Sequence, residues 1–483
     1  MIADALALHA QTRPSHPALE ASGFALDHAG LDRAVNRVAR ALLARGVAEG
    51  VRVALCLGDR PLHVIALWAL ARIGAPVLPM DHRWAPAERL AAREAFPCAM
   101  SLVEPYAADA TPGEIIADAA FEAAVDAAPA DPPAPPRDPD PPMVVALSSG
   151  TTGQPKGPLI RQSHMLARFI GHYVGLGFDR EDRFLVATPL HHGGGRGFAM
   201  SMLWSGATVR LFSPPWEPAQ LDAEFSQFGA TATFLVPTQL RRCLAACEPD
   251  APVRWPGLRT LVSTGAALAP AERQAVRDRL SPRLHDYYGS TEGGGATVLP
   301  PGAMATRGDT VGRAGFGIDL QVVDAEGASL PPGVEGAIRW RGPSVPSDVP
   351  GDAAFRDGWF RPGDRGVLDA DGFLRITGRE GEMIIRGGAN IHPNEVEAAL
   401  RAVPGVVDAA VLGIEDAEYG QEVAAALVAP GLDVAALRAA LEGRIAAYKV
   451  PRRWLFLEVL PRNAGGKVVK GALRPLFIAT PKA

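Results

Sequence analysis

The feature of the sequence that most constrains its fold is a recurring pair of segments, a short apolar run followed by a loop rich in glycine and hydroxyl side chains. Apolar runs such as MVVAL, RFLVATPL and RTLVSTG alternate with stretches of helical periodicity such as SHMLARFIGHY. This alternation predicts an α/β protein built on parallel sheets, whose ligands bind beyond the carboxyl ends of the strands. The loops expected to meet at one cleft are 148–157, 191–195, 265–267 and 289–292.

The character of the chain changes at three places. A proline-rich stretch at 128–142 predicts a surface connection, and from about residue 300 short strands with Asp-Gly and Pro-Gly turns predict an antiparallel unit. After Gly381, patterns such as HPNEVEAALRAV and VVDAAVLGI indicate a small α+β domain. We therefore predict two domains, residues 1–380 and residues 381–483.

Composition narrows the class of ligand. The 483 residues carry a formal net charge of -5 and include no basic block of the kind that binds nucleic acid or anionic membranes. The sequence shows no signal-peptide pattern and no uninterrupted apolar stretch of membrane-spanning length, and its four cysteines make no disulfide framework. These features favour a cytoplasmic protein that acts on a small molecule, with no nucleic-acid partner and no membrane span.

The loop SSGTTGQPKG at 148–157 is the strongest single candidate for a ligand site. It fails twice as a Walker phosphate loop, because Pro155 occupies the second glycine position and Gly157 follows Lys156. Its glycines, hydroxyls and lysine still suit an anion, since backbone N–H groups and a cation can turn toward phosphate oxygens. Taken alone, the loop fits a phosphate site and a polar surface turn equally well.

Five motifs, in order along the chain, resemble those of the adenylate-forming superfamily: SSGTTGQPKG, YYGSTEGG, GWFRPGD, ITGREGEMIIRGGANIHPNEVE and PRNAGGKVVKGALR. The superfamily includes acyl-CoA synthetases, aryl-CoA ligases, luciferases and peptide-synthetase adenylation domains, and the fourth motif looks most similar to the acyl- and aryl-CoA ligase branch. The resemblance implies a large N-terminal domain of two layered, mainly parallel sheets and a distorted β-barrel. It also implies a small, mobile α+β C-terminal domain.

The resemblance implies a reaction in two steps. A carboxylate attacks the α-phosphate of ATP and releases pyrophosphate, and the acyl group then passes to the thiol of coenzyme A. Cations and oriented dipoles must offset the charge that develops on the transferring phosphoryl group. The expected cofactors are therefore ATP, Mg²⁺ and CoA.

The motif positions imply which side chains contact the phosphates and the metal. Glu292 matches the magnesium-binding glutamate of the family, and a hard carboxylate oxygen suits that ion beside phosphates. Lys467 matches the C-terminal lysine that bridges the carboxylate of the acid and the α-phosphate. The residues implied to contact the phosphates are Ser148, Thr151, Thr152, Lys156 and Thr291.

The resemblance also implies the nucleoside contacts. Tyr288 matches the aromatic residue that stacks on adenine, and Asp286 is placed to accept a hydrogen bond from the adenine amino group. Asp364 matches the residue that takes both ribose hydroxyls, which needs a two-oxygen acceptor, and Arg379 matches the arginine beside the ribose and α-phosphate. The backbone implied to line the base includes Gly265 and Ala266.

The acyl pocket is expected around the segment PLHHGGGRGFAMSMLW. His192 matches the family histidine at the pocket mouth, where we expect it to act beside the carboxylate, whereas His191 replaces the more usual Phe or Tyr. Arg196 either pairs with a second carboxylate on a diacid or faces water. Apolar side chains in this segment favour an aromatic or a medium-to-long aliphatic acid. The other residues expected in the pocket are Gly193, Gly194, Phe198 and Gly289.

Three glycines are expected to take part in the second step, in which the acyl group passes to the acceptor. Gly381 occupies the hinge position, where relatives carry Asp or Lys, and glycine tolerates the large φ/ψ changes of a hinge. Gly387 and Gly388 resemble the turn that admits pantetheine, which favours CoA as the acceptor. A carrier-protein thiol or an amine stays open as an alternative acceptor, and a non-catalytic nucleotide-binding protein is disfavoured because the motif side chains are intact. The expected assembly is a monomer or a homodimer.

Overall fold

The computed structural model of the chain describes residues 1–109, 111–149, 155–347, 349, 352–380, 382–386, 389–416, 419–442, 444–462 and 467–479. The chain divides into two compact units. The larger comprises Met1–Gly308, Gly312–Asp319 and Trp340–Phe360, and the smaller comprises Asp309–Val311, Leu320–Arg339 and Arg361–Ala483. The domain boundary at Gly381 stays a prediction, since that residue lies outside the described part of the chain.

A nine-stranded sheet forms one layer of the larger unit. Its central strands pair in parallel, and the pairs at its two ends are antiparallel. Strand Thr260–Ser263 is buried at every residue, as expected for a parallel strand that is covered on both faces. In spatial order the strands are Arg313–Ala314, Gly294–Leu299, Leu284–Ser290, Thr260–Ser263, Ala232–Phe234, Arg183–Val186, Thr208–Leu211, Pro17–Ala21 and Phe24–Asp27.

A six-stranded sheet forms the second layer of this unit, and it is parallel except at one edge. Side chains of both sheets and of the helices join one apolar core, in which Leu55, Trp68 and Phe184 are buried. Two short hairpins pair Ser148–Ser149 with Pro155–Lys156, and Phe355–Arg356 with Trp359–Phe360. In spatial order the six strands are Leu159–Arg161, Pro142–Val145, Val77–Pro79, Val53–Cys56, Met100–Val103 and Glu114–Ile116.

Several helices of the larger unit begin at a proline, namely at Pro61, Pro86, Pro218, Pro237 and Pro270. Proline suits this position because its φ is already helical and a first-turn N–H has no partner within the helix. Some of the 44 prolines of the chain therefore mark the starts of helices. The helices are Asp4–Thr12, His28–Leu43, Pro61–Ile73, Pro86–Ala95, Ala119–Ala127, Gln162–Leu176, Gly193–Ser205, Pro218–Phe228, Pro237–Ala245, Pro270–Arg279 and Met304–Arg307, with short 3₁₀ turns at Pro105–Ala107 and Pro301–Ala303.

The smaller unit contains a sheet with helices packed on both faces. Along strand Gly420–Val428, Val423 and Leu427 face one apolar core and Ala424 and Ala426 face another, which is the alternation of a strand buried on two sides. The strands of this sheet are Ile384–Arg386, Ala389–Ile391, Asp408–Asp416, Gly420–Val428 and Arg453–Phe456. The helices are Pro393–Arg401, Val434–Leu441 and Lys470–Ala479, with a 3₁₀ turn at Ala447–Lys449.

Antiparallel strands precede this sheet along the chain. Asp364–Leu368 pairs with Leu374–Arg379 and with the first residues of Glu335–Arg341, which also pairs with Asp319–Val323. The pairing sets Asp364 directly opposite Arg379. Two side chains predicted to contact the ribose are therefore neighbours on adjacent antiparallel strands.

The structure confirms the predicted mixed α/β class, with two mainly parallel sheets in a large N-terminal domain and a smaller C-terminal domain. One predicted loop differs, because the chain is helical from Gly193 onward rather than irregular to residue 195. The following residues Phe198 and Met202 are buried, so apolar packing stabilises a helix that its glycines do not favour. Among the described residues, no helix combines the length and the apolar composition needed to cross a membrane.

Candidate active site

The carboxyl ends of the two sheets of the larger unit meet at the segment 189–192. Asp59 and Asp81 each follow a strand of the six-stranded sheet. Oδ1 of Asp59 accepts the backbone N–H of Leu190 at 2.7 Å, and Oδ2 of Asp81 lies 3.3 Å from Nε2 of His191. The predicted pocket segment therefore lies at the sheet edge where α/β proteins bind ligands.

His191 and His192 are in ring contact. Their centroids are 4.1 Å apart and their planes are tilted by 50°. Burial, followed by the charge of His192, lowers the pKa of His191, so its ring is neutral at physiological pH. His192 occupies the N-cap position of helix Gly193–Ser205. The two predicted pocket histidines thus form one packed pair at the start of this helix.

The glycines that follow lie against other side chains rather than beside open space. A Cβ atom on Gly193 would lie 3.0 Å from Cγ2 of Thr291, and one on Gly194 would lie 2.7 Å from Cε1 of Phe234. The rings of Phe198 and Phe234 are 5.0 Å apart. Glycine lets the helix approach its neighbours closely, and this approach brings the predicted pocket residues beside Thr291, a predicted phosphate contact.

The STEGG motif forms a turn between two strands, and the half-buried Arg168 holds it. Strand Leu284–Ser290 ends at the motif, and the N–H of Gly293 donates to Oγ of Ser290 at 2.9 Å. Arg168 donates from Nη1 to the carbonyl oxygen of Thr291 at 3.1 Å and from Nη2 to that of Glu292 at 2.8 Å. Its Nε donates to a third carbonyl, that of residue 344, at 3.1 Å.

Arg168 is half-buried, and its desolvation lowers the pKa of the guanidinium to about 10. A buried cation is costly unless its donors are used, and here all three hydrogen bonds go to backbone oxygens. The motif resemblance does not include this residue, because it lies in the helix Gln162–Leu176, far along the chain from the turn. We conclude that Arg168 fixes the backbone on which Glu292 is presented.

Replacing Arg168 with leucine should destabilise the protein and displace this turn. The variant leaves three partly buried carbonyl groups without this donor, which we expect to reduce the free energy of unfolding by about 2 kcal/mol. Chemical denaturation measures this loss, and a titration of Mg²⁺ in an activity assay should show a higher metal requirement. Leucine at the exposed-loop position Arg180 is the matched control, and equal behaviour of the two variants would remove the assigned role.

Glu292 fits a magnesium ligand. Among the described residues its carboxylate forms no ion pair, and the side chain is half-buried rather than enclosed. Mg²⁺ beside phosphates is commonly held by only one or two carboxylates, with the remaining positions filled by phosphate oxygens and water. The described part of the chain contains no cluster of three or more His, Cys, Asp or Glu side chains that could hold a metal without such help. A single carboxylate at the predicted phosphate site therefore suits this ion.

The residues predicted to contact adenine lie on neighbouring strands. Asp286 is buried and pairs with Arg273 of helix Pro270–Arg279, with burial raising its pKa and the arginine opposing that rise. Tyr288, two residues on, packs edge-to-face on Trp340 at 5.8 Å. Gly265 follows the adjacent strand with a φ of 93°, a left-handed conformation that favours glycine. The hydrogen bond from adenine to Asp286 stays a prediction. The carboxylate of Asp286 already forms an ion pair with Arg273.

Three predicted residues come together in the smaller unit. Nε of Arg379 lies 3.3 Å from Oδ1 of Asp364, and its Nη2 donates to the carbonyl of Pro362 at 3.1 Å. Burial, followed by the charge of Arg379, lowers the pKa of Lys467, while Glu382 and Asp364 oppose the decrease. The side chain of Lys467 is nevertheless exposed to solvent. The lysine thus lies within electrostatic range of the predicted ribose-binding pair.

A second lysine anchors the segment that carries Lys467. Nζ of Lys470 lies 3.1 Å from Oε2 of Glu382 and 2.9 Å from Oε1 of Glu397. Oε1 of Glu397 also accepts the backbone N–H of Val411 at 2.9 Å. This ion network ties the start of the last helix to the sheet, and the sequence motif alone does not indicate it.

Several predicted site residues fall outside the described part of the chain. Gly157, at the end of the first motif, is described, and a Cβ there would lie 2.0 Å from the carbonyl oxygen of Ala146. Close backbone approach therefore requires glycine at this position. The predicted residues that are not described are Thr151, Thr152, Gly381, Gly387 and Gly388, together with the side chains of Ser148 and Lys156.

Two family models match the chain. That of the AMP-binding enzyme matches residues 6–347, and that of the AMP-binding enzyme C-terminal domain matches residues 395–467. The chain belongs to the AMP-binding enzyme family. This family assignment confirms the predicted resemblance to adenylate-forming enzymes.

Known AMP-binding enzymes match over nearly the whole length. An indoleacetate–CoA ligase of Aromatoleum aromaticum is 35% identical over 97% of this chain and 96% of its own. The solved structure of o-succinylbenzoate CoA synthetase from Bacillus subtilis, in complex with its acyl-adenylate intermediate, is 26% identical with a TM-score of 0.88, covering 99% of this chain and 98% of its own. An amide bond synthetase from Marinactinospora thermotolerans is 26% identical with a TM-score of 0.86, covering 99% and 100%.

These likenesses confirm the predicted enzyme class. The protein is an AMP-forming acyl-CoA synthetase of the AMP-binding family, with ATP, Mg²⁺ and CoA as its cofactors. Lys467, the last residue matched by the C-terminal family model, lies within electrostatic range of Asp364 and Arg379 in the smaller unit.

Proposed function

We propose that the protein converts an aromatic carboxylic acid, or a medium-to-long aliphatic one, to its acyl-adenylate and then to its CoA thioester. The observation that carries the proposal is the grouping of Lys467 with Asp364 and Arg379 inside one unit. A ribose acceptor, an arginine and a lysine in one place suit an α-phosphate that is attacked by a carboxylate.

The first step places negative charge on the α-phosphoryl group while pyrophosphate departs. Lys467 and Arg379 offset that charge, and Lys467 also binds the attacking carboxylate, so that the two anions can approach each other. Asp364 orients the ribose and, through its contact with Arg379, the guanidinium. Glu292 would hold Mg²⁺, which would supply positive charge beside the departing phosphates. The remaining proposed contacts to pyrophosphate come from Thr151, Thr152 and Lys156.

Aromatic packing around the proposed acyl pocket favours an aromatic acid. Phe198, within the helix that begins at Gly193, lies 5.0 Å from Phe234 and 5.9 Å from Tyr287 between ring centroids. Two of the compared enzymes, the indoleacetate–CoA ligase and the o-succinylbenzoate CoA synthetase, are named for acids that carry a ring. An aromatic acid is therefore the preferred member of the proposed range.

The guanidinium of Arg196 is not exposed to solvent, where it could pair with the second carboxylate of a diacid substrate. The residue is 5% exposed, so the expectation that it faces water is wrong. Its Nη1 donates to the carbonyl of His191 at 2.9 Å and to that of Leu190 at 3.3 Å. The guanidinium therefore holds the backbone of the pocket segment, and a monoacid is the simpler proposal.

An amine is the second candidate acceptor. The likeness to an amide bond synthetase at a TM-score of 0.86 favours it specifically, because that enzyme shares nearly the full length of the fold. A carrier-protein thiol is a further acceptor within the same chemistry. The cytoplasmic location, the hinge at Gly381 and a monomeric or homodimeric state belong to the same proposal.

Two assays test the proposed function. Exchange of labelled pyrophosphate into ATP across a panel of aromatic, aliphatic and dicarboxylic acids identifies the acid, and we expect aromatic acids to give the highest rates. Consumption of the matching acyl-adenylate is then compared with CoA, a carrier protein and amines as acceptors. Faster consumption with an amine than with CoA would favour amide synthesis, and absence of exchange with every acid would contradict the proposal.

A further inference from the structure

Asp81 is a buried carboxylate with two kinds of neighbour. Its side chain is 4% exposed. Arg83 donates to it three times, from the backbone N–H and from Nε to Oδ1 at 2.9 Å each, and from Nη2 to Oδ2 at 2.7 Å. Oδ2 also lies 3.3 Å from Nε2 of His191, whose side chain is 5% exposed. The hydrogen bonds from Arg83 keep this carboxylate anionic, with one oxygen directed at the imidazole.

The anionic oxygen determines which ring nitrogen of His191 carries the proton. The contact between the two side chains lacks full hydrogen-bond geometry, so it acts mainly through charge. A neutral imidazole beside a carboxylate places its N–H on the nearer nitrogen, which here is Nε2. The other nitrogen, Nδ1, is buried and has no hydrogen-bond partner among the described residues. The carboxylate of Asp81 therefore determines the orientation of the His191 ring.

The orientation of His191 is transmitted to His192 by direct contact, since their ring centroids are only 4.1 Å apart. We propose that Asp81 is a positioning residue that acts through His191 to place His192 at the mouth of the acyl pocket. This inference rests on the proposed function, in which His192 lies beside the carboxylate of the acid. Asp81 and His191 thereby set how that carboxylate is presented for adenylation.

The backbone of the pocket segment is held without Asp81. The N–H of Leu190 donates to Asp59, and the carbonyl groups of Leu190 and His191 accept from Arg196. Loss of the Asp81 carboxylate should therefore leave the segment folded. The effect expected of a variant is a change in side-chain placement rather than in stability.

The test compares Asp81→Asn, which keeps the shape of the side chain, with His191→Phe, which keeps an aromatic ring but removes both nitrogens. Each should lower kcat/KM for the acid in pyrophosphate exchange about tenfold, on the scale of losing a partner that orients a functional histidine, with KM for ATP unchanged. Because both act on the same element, the double variant should lose no more than the larger single effect. Asp32→Asn is the matched control, since Asp32 also accepts from an arginine, Arg72, at 2.7 Å.

Nitrogen-15 NMR of labelled histidines gives a readout that does not depend on activity. The chain has 11 histidines, and the signals lost in His191→Phe identify that ring. We expect the Nε2–H tautomer in the wild type and a changed tautomer ratio in Asp81→Asn. An unchanged ratio, additive losses in the double variant, or equal losses for ATP and the acid would each overturn the inference. Absence of exchange in the wild type would instead count against the proposed function and the inference together.

Discussion

Lys467→Ala is expected to slow acyl-adenylate formation by about 10² to 10³, the scale of losing one transition-state donor. The same variant, supplied with preformed acyl-adenylate and CoA, should form thioester at the wild-type rate. The reason is that Lys467 is grouped with the residues proposed to surround the ribose and the α-phosphate, and the second step transfers no phosphoryl group. Single-turnover assays of the two half-reactions measure both rates.

The pH dependence provides an independent check on Lys467. Its side chain is exposed, and its pKa is lowered from the ordinary lysine value of 10.5 first by partial desolvation and then by the charge of Arg379. The charged form is the active one, so adenylation should decline as pH rises through this lowered pKa, before an ordinary lysine would lose its proton. Lys449→Ala, which removes a lysine paired with Glu395 at 2.6 Å, should leave the profile unchanged. Loss of thioester formation in Lys467→Ala would contradict the division of labour.

The order of the motifs was sufficient to predict the family and the mixed α/β class. Each motif is a local pattern, and its chemistry depends on residue types that are close in sequence. Asp364 and Arg379 illustrate this, because a short antiparallel connection suffices to set them opposite each other. Local patterns of this kind can be recognised without knowing the tertiary structure.

Arg168 and Asp81 could not be predicted in this way. Arg168 binds backbone carbonyl oxygens of the STEGG turn, and a carbonyl leaves no signature in the sequence. Asp81 meets His191 only because two separate sheets place their carboxyl ends together. Both residues depend on tertiary packing, and an arginine in a helix or an aspartate after a strand is otherwise unremarkable.

The spacing of apolar residues predicts only part of the buried face of helix Gln162–Leu176. In the pattern SHMLARFIGHY, helical spacing places Leu166, Phe169, Ile170 and Tyr173 on one face, and Phe169 is fully buried. Tyr173 is 43% exposed, whereas His172 beside it is buried. Nε2 of His172 lies 3.1 Å from the hydroxyl of Tyr287, so a polar contact stabilises the ring in the core. Apolar periodicity cannot anticipate a polar residue that finds its partner only in the folded state.

Glu292→Gln is expected to raise the Mg²⁺ concentration needed for half-maximal pyrophosphate exchange by about 10²-fold, the upper end of the scale for residues that support a metal site. Glutamine keeps the length of the side chain and one oxygen but removes the charge that a hard divalent cation requires. The backbone carbonyl that accepts from Arg168 is retained, so the turn itself should keep its position. Titration of Mg²⁺ at saturating ATP and acid measures the shift.

Comparison with Arg168→Leu separates the charge of Glu292 from its placement. Glu292→Gln should leave the free energy of unfolding unchanged while raising the metal requirement, whereas Arg168→Leu should affect both, because it removes the donors that hold the carbonyl groups of Thr291 and Glu292. Glu248→Gln, at an exposed position of the same unit, is the control for loss of a carboxylate. If Glu292→Gln has the wild-type Mg²⁺ midpoint, other residues must bind the metal. If the variant has an altered free energy of unfolding, the role of Glu292 is structural.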